Sequence, residues 1–194
     1  MRKQVKDDKE INPYNLDKFS KIPTWLIVLL LKYWAAAAAV FFIAIGGVDI
    51  GFDFSQTASN DPYANMAVSI LLMILIGLFL ALFMNYIIRW LVRLMYNRRN
   101  NTYKYNMINC KGFKSFLLCL PYCMMISVIL FFVVSFLSSK GWVIDFFGTT
   151  GGSGIEPFTY GLCFIVVDGI FLVLKNLIQN LYERYKYYKQ IKEA

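Results

Sequence analysis

The sequence predicts an all-α integral membrane protein: a bundle of four transmembrane helices with both termini inside the cell and short acidic loops outside. Two observations lead to this fold class. The chain contains four long apolar stretches, at residues 25–47, 64–91, 116–137 and 158–181. Each has the roughly 20 residues that a helix needs to cross about 30 Å of hydrocarbon. The overall hydrophobic content of 58% is also above that of an ordinary soluble domain.

The four stretches and their connections account for nearly all 194 residues. We therefore expect one membrane domain, residues 23–183. It follows a cytoplasmic N-terminal segment, residues 1–22, and precedes a basic cytoplasmic tail, residues 184–194. No length remains for an independent soluble domain.

The charges between the stretches alternate in sign. Residues 1–22, 92–115 and 182–194 hold nearly all the Lys and Arg, whereas residues 48–63 and 138–157 are acidic. Because Lys and Arg near span ends concentrate on the cytoplasmic side, this pattern predicts that both termini are inside. We expect a multi-pass protein of a bacterial plasma membrane, with Trp25, Trp34, Trp90 and Trp142 near the membrane surfaces.

The outer loops carry carboxylates that could attract cations. These residues are Asp49, Asp53, Asp61, Asp145 and Glu156. Hard cations prefer clustered oxygen ligands, but the loops lack the spacing of a calcium-binding loop. The alternative is that the acidic loops simply lie opposite a basic cytoplasmic face. We predict no metal site.

Asp168 is the strongest candidate for a functional residue inside the membrane, because it lies in the middle of the fourth stretch. A carboxylate at that depth is costly unless it is protonated or paired, so it should face the bundle interior. On a rise of 1.5 Å per residue, Asp168, Ser127 and Lys32 lie about 20, 18 and 12 Å from the cytoplasmic ends of their spans. Lys175, seven residues after Asp168, is too far for a direct bond and should reach the interface.

Two interpretations of this intramembrane polar site stay open. Asp168, Lys32 and Ser127 could form a proton or cation site. Alternatively, they could form a buried polar contact that fixes the register of the helices, or a contact to a partner subunit.

The second stretch has small residues at the spacing of one helical face. Gly77 and Ala81 are four residues apart and would let a neighbouring helix approach closely. Asn85 continues this stripe and could donate a hydrogen bond across the interface. The stripe predicts either packing within this chain or a dimerisation face.

The composition argues against an enzyme. The chain has no histidine, which removes the commonest general base and metal ligand. Cys119 and Cys123 are spaced as a metal or redox pair would be, but they are also ordinary small residues for a membrane helix. No nucleotide loop, protease motif or nucleophile elbow is present, and we predict no cofactor.

Basic and aromatic residues alternate in the predicted cytoplasmic segments, around residues 96–105 and 182–189. Such clusters beside a membrane attract anionic lipid head groups, and we expect lipid rather than RNA as their partner. For the whole chain, the sequence favours a non-enzymatic accessory or assembly subunit that contacts membrane-protein partners or further copies of itself. The alternative is a small oligomeric transporter or channel that uses Asp168.

Overall fold

A computed structural model describes residues 22–49, 62–96, 105–108, 112–142 and 157–193. These residues are almost entirely helical and contain no strand. The helices are α1 (Thr24–Asp49), α2, α3 (Gly112–Ser139) and α4 (Pro157–Glu193). Helix α2 consists of Pro62–Leu82, a π-helical turn at Phe83–Ile87, and Ile88–Tyr96. All four are long and apolar enough to cross a membrane, which confirms the prediction of four helices and indicates a multi-pass membrane protein.

The helix ends follow local chemistry. Helices α2 and α4 begin with proline, whose fixed φ and missing N–H suit the first helical position. Helix α3 ends in a Schellman motif at Gly141, where φ is +70°. Gly141 N–H donates to Ser138 O at 2.9 Å, and Trp142 N–H donates to Leu137 O at 3.0 Å. These two bonds satisfy carbonyls that the end of the helix would otherwise leave unpaired.

The helices pack in a closed ring in which α1 contacts α2, α2 contacts α3, α3 contacts α4 and α4 contacts α1. The pairs α2–α3 and α1–α4 make the most extensive contacts. Each pair meets at a glycine. A Cβ on Gly77 would lie 2.6 Å from Met124 Cγ, and a Cβ on Gly161 would lie 2.9 Å from the ring of Tyr33. The two helix pairs thus approach as closely as small residues allow.

Helix α4 differs from the others in length and burial. It has 37 residues and is therefore about 55 Å long, well beyond the thickness of the hydrocarbon. It continues to Glu193, whereas the apolar stretch ends near residue 181. In its most apolar part 17% of the residues are buried, against 33–39% for the other three helices. Most residues in the apolar part of α4 are therefore not covered by the other helices.

Candidate functional site

Lys32 of α1 and Asp168 of α4 form an ion pair inside the bundle. Lys32 Nζ lies 2.7 Å from Asp168 Oδ2, and the two residues are 5% and 3% exposed. Each charge lies in an apolar span, where a lone charge would be costly. Pairing offsets part of that cost, and the ion pair joins the first helix to the last.

A tyrosine of α3 completes the arrangement. The hydroxyl of Tyr122 donates to Asp168 Oδ1 at 2.7 Å, so both carboxylate oxygens have a donor. The ring of Tyr122 also packs edge-on against Phe171 of α4, with ring centroids 6.1 Å apart. Three helices thus meet at one carboxylate. Helix α3 runs unbroken through Pro121, directly before this tyrosine.

Two lysines, Lys32 of α1 and Lys175 of α4, bind the segment 105–108, which lies between α2 and α3 in the chain. Lys32 donates a second hydrogen bond to the carbonyl of Tyr105. Lys175 donates to the carbonyls of Asn106 and Met107 at 3.3 and 2.8 Å. Three consecutive carbonyls therefore face two ammonium groups. Asn106 is 3% exposed, and its side-chain amide finds no hydrogen-bond partner among the described residues.

Ser127 and Asn85 do not make the hydrogen bonds that the sequence suggested for them. Ser127 is fully buried, but its hydroxyl donates to the carbonyl of Cys123, one turn earlier in the same helix, at 2.7 Å. This bond within α3 uses the single donor of the hydroxyl. Asn85 is 1% exposed within the π-helical turn, and both polar atoms of its amide lack a partner in the part of the chain that the structure describes.

The remaining candidates take packing positions or fall outside the described residues. Gly77 and Ala81 face the bundle: Gly77 lies against Met124 of α3, and Ala81 is fully buried. Cys119 and Cys123 are buried, and their sulfurs lie 3.9 Å apart, too far for a disulfide bond. No group of three or more Cys, Asp or Glu side chains that could hold a metal occurs among the described residues. The acidic residues of the predicted outer loops are not described by the structure. Asp49 is the last residue of α1, where side chains are not described, and the other four lie outside the described residues: Asp53, Asp61, Asp145 and Glu156.

Sequence reasoning missed Tyr122, the role of the carbonyl of Tyr105, and the π-helical turn. Tyr122 lies in the third stretch, about 15 Å from the start of its helix at Gly112, and this depth was a signal that its hydroxyl could reach Asp168. A buried tyrosine hydroxyl needs a hydrogen-bond partner, and Asp168 was expected to need a donor. The carbonyl contact depends on how the connection folds back, which no local pattern encodes.

The site is electrically neutral, and each of its charged groups has two hydrogen-bond partners in the protein. The ammonium of Lys32 has two acceptors, and each oxygen of Asp168 has a donor. Such an arrangement holds helices together without needing a bound ion. Comparisons of the chain with protein-family models, with curated proteins and with solved structures find no match.

Proposed function

We propose that this protein is a non-enzymatic accessory or assembly subunit that acts through helix–helix contacts with partners in a bacterial plasma membrane. One observation carries the proposal: the buried charges are used inside the bundle, while α4 is left largely uncovered. Lys32 pairs with Asp168, and Asp168 also accepts a hydrogen bond from Tyr122, so these groups hold α1, α3 and α4 together. The small buried share of α4, 17%, then supports this helix as the surface that meets a partner.

The proposed contact surface, here called the α4 outer face, is a stripe of branched aliphatic residues. It consists of Val166, Ile170, Val173 and Leu177, which are 61, 55, 65 and 54% exposed. Their spacing of three and four residues places them on one side of the helix. Lipid chains can cover such a stripe, and so can the apolar face of a partner helix, which would gain close van der Waals packing.

Orientation and lipid contacts belong to the same proposal. The distribution of Lys and Arg supports termini inside the cell and acidic loops outside. The basic and aromatic residues after position 181 support binding of anionic head groups rather than nucleic acid. A fluorescent protein fused after Ala194 should fluoresce, because such a tag folds in the cytoplasm. A dark fusion that is protected from cytoplasmic protease would contradict the orientation.

The test of the proposed function is site-specific photocrosslinking in the native membrane. A photoreactive amino acid at Ile170 or Val173 of the α4 outer face should crosslink to one defined protein, either a partner or a second copy. The matched control is Phe132 of α3, which is 66% exposed but lies on another helix. Crosslinks to lipid alone at all three positions would refute the proposal.

The second candidate, a small oligomeric proton- or cation-coupled transporter, is favoured by one observation. A cavity of about 140 Å³ adjoins the Lys32–Asp168 pair. Purified protein in vesicles should then show cation-dependent flux that Asp168→Asn abolishes while helicity and oligomeric state remain unchanged. Absence of flux from the wild type, or equal flux from wild type and Asp168→Asn, would exclude this candidate.

A further inference from the structure

The cavity beside the ion pair is open because one position of α4 is a glycine. It lies between α1 and α4 and has a volume of about 140 Å³. A Cβ placed on Gly169 would meet no atom within 4 Å, so this residue leaves space that a side chain would fill. The apolar walls come from Val28, Leu29, Ile165 and Leu172.

The polar end of the cavity retains hydrogen-bonding capacity. Lys32 and Asp168 both line it. An ammonium has three N–H donors, and Lys32 uses two of them, for Asp168 and for the carbonyl of Tyr105, among the described residues. A carboxylate offers about four acceptor positions, and Asp168 uses two of them, for Lys32 and for Tyr122. One donor and some acceptor capacity therefore remain for a ligand.

Charge balance selects the kind of ligand. The ion pair is neutral, so a charged ligand would leave a net buried charge in an apolar span, which is costly. A neutral group can accept a hydrogen bond from Lys32 and donate one to Asp168 without adding a net buried charge. A hydroxyl does both.

The size and the opening of the cavity fit an apolar body attached to that hydroxyl. Cavities of about 150 Å³ with apolar walls accept ligands of the size of benzene. Trp25 and Leu29 line the cavity and are also 51 and 36% exposed. The cavity therefore opens toward the surface of the bundle that faces lipid, where dissolved amphiphiles are concentrated.

We propose that the cavity between α1 and α4 binds a hydroxyl-bearing membrane amphiphile, an aliphatic alcohol or a lipid with a free hydroxyl. The hydroxyl accepts from Lys32 and donates to Asp168, and the adjoining carbons lie against Leu29 and Leu172. The segment at Tyr105 borders the same cavity, and its carbonyl holds Lys32 in place. This site is independent of the proposed partner contact on the α4 outer face.

The test uses the full-length protein in lipid nanodiscs and two probes, a medium-chain alcohol that carries a photoreactive diazirine and the alkane of the same chain length and diazirine position. The alcohol should label residues near Gly169 saturably and about tenfold more than the alkane, since its hydroxyl bonds to two charged groups. Unlabelled alcohol should compete with the label, and unlabelled alkane should not. Competition by a hydroxyl-bearing lipid but not by short alcohols would identify lipid as the source.

Two variants locate the site. Gly169→Leu should fill the cavity and abolish the labelling, whereas Val166→Leu, one turn away on the α4 outer face, should leave it unchanged. Equal labelling by alcohol and alkane, or no saturable labelling at all, would overturn the proposal and leave a cavity that holds water only. If Gly169→Leu fails to fold, competition on the wild type decides the matter.

Discussion

Replacing Lys32 by Met tests directly whether the ion pair stabilises the bundle. Methionine keeps the length and flexibility of the side chain and removes the charge, so packing against α4 changes little. Asp168 then retains a single hydrogen bond, from Tyr122, and stays buried. Removal of one partner of a buried pair typically costs about 3–5 kcal/mol of unfolding free energy, because the other charge is left uncompensated.

The double variant separates the value of the pair from the cost of an orphaned charge. In the variant that combines Lys32→Met with Asp168→Asn, no charge remains at this site. Tyr122 can still donate to the amide oxygen of the new side chain at position 168. Loss of a whole buried pair is often close to neutral, so we expect a cost below about 2 kcal/mol. The double variant should thus be more stable than Lys32→Met alone. The sum of the two single costs should exceed that of the double variant by at least about 2 kcal/mol.

The assay is reversible unfolding in mixed micelles by increasing detergent fraction, followed by the fluorescence of the four tryptophans. Wild type and the three variants are measured under the same conditions, and circular dichroism confirms equal helicity before unfolding. Strictly additive costs would show that Lys32 and Asp168 do not interact. Single-variant costs below about 1 kcal/mol would refute the view that a buried pair holds α1 and α4 together.

Three further outcomes are expected. Tyr122→Phe removes one hydrogen bond to Asp168 and should lower the unfolding free energy by about 1–3 kcal/mol in the same assay; no change would mean that α3 does not support the carboxylate. Gly77→Ala places a methyl group 2.6 Å from Met124 Cγ and should cost about 1–3 kcal/mol, and a stabilised variant would contradict the close approach of α2 and α3. Deletion of residues 184–194 should change bundle stability by less than about 0.5 kcal/mol, because the described part of this segment is exposed, but it should reduce the anionic lipid that co-purifies, as measured by mass spectrometry.

The four helices could be predicted because membrane spans leave a local signal. An apolar run of sufficient length is enough to identify a helix in lipid, where every backbone group must be paired within the segment. The same local signal marks the apolar span of α4 and not the full length of the helix. Residues 182–193 are largely charged or aromatic, so the apolar stretch ends near residue 181. The helix nevertheless continues to Glu193.

The candidate site was only partly predictable. The depth of Asp168 in its span implied burial and a partner, and Lys32 was a candidate because its side chain is long. Tyr122 was overlooked because a tyrosine counts as apolar in a hydropathy pattern, although its hydroxyl acts as a polar group. Ser127 was expected at Asp168 on height alone, and height along a helix says nothing about the direction in which a side chain points.

The amino-acid sequence by itself determined that this chain forms four apolar helices and that a carboxylate and an ammonium lie within the spans, because length and hydropathy are local properties. Tertiary structure alone decided which groups meet. The close approach of α1 and α4 at Gly161 brings Lys32 to Asp168, and the return of the connection at Tyr105 supplies the carbonyl that completes the contact. These contacts join residues far apart in the chain, so their geometry depends on helix rotation and packing, which no single segment specifies.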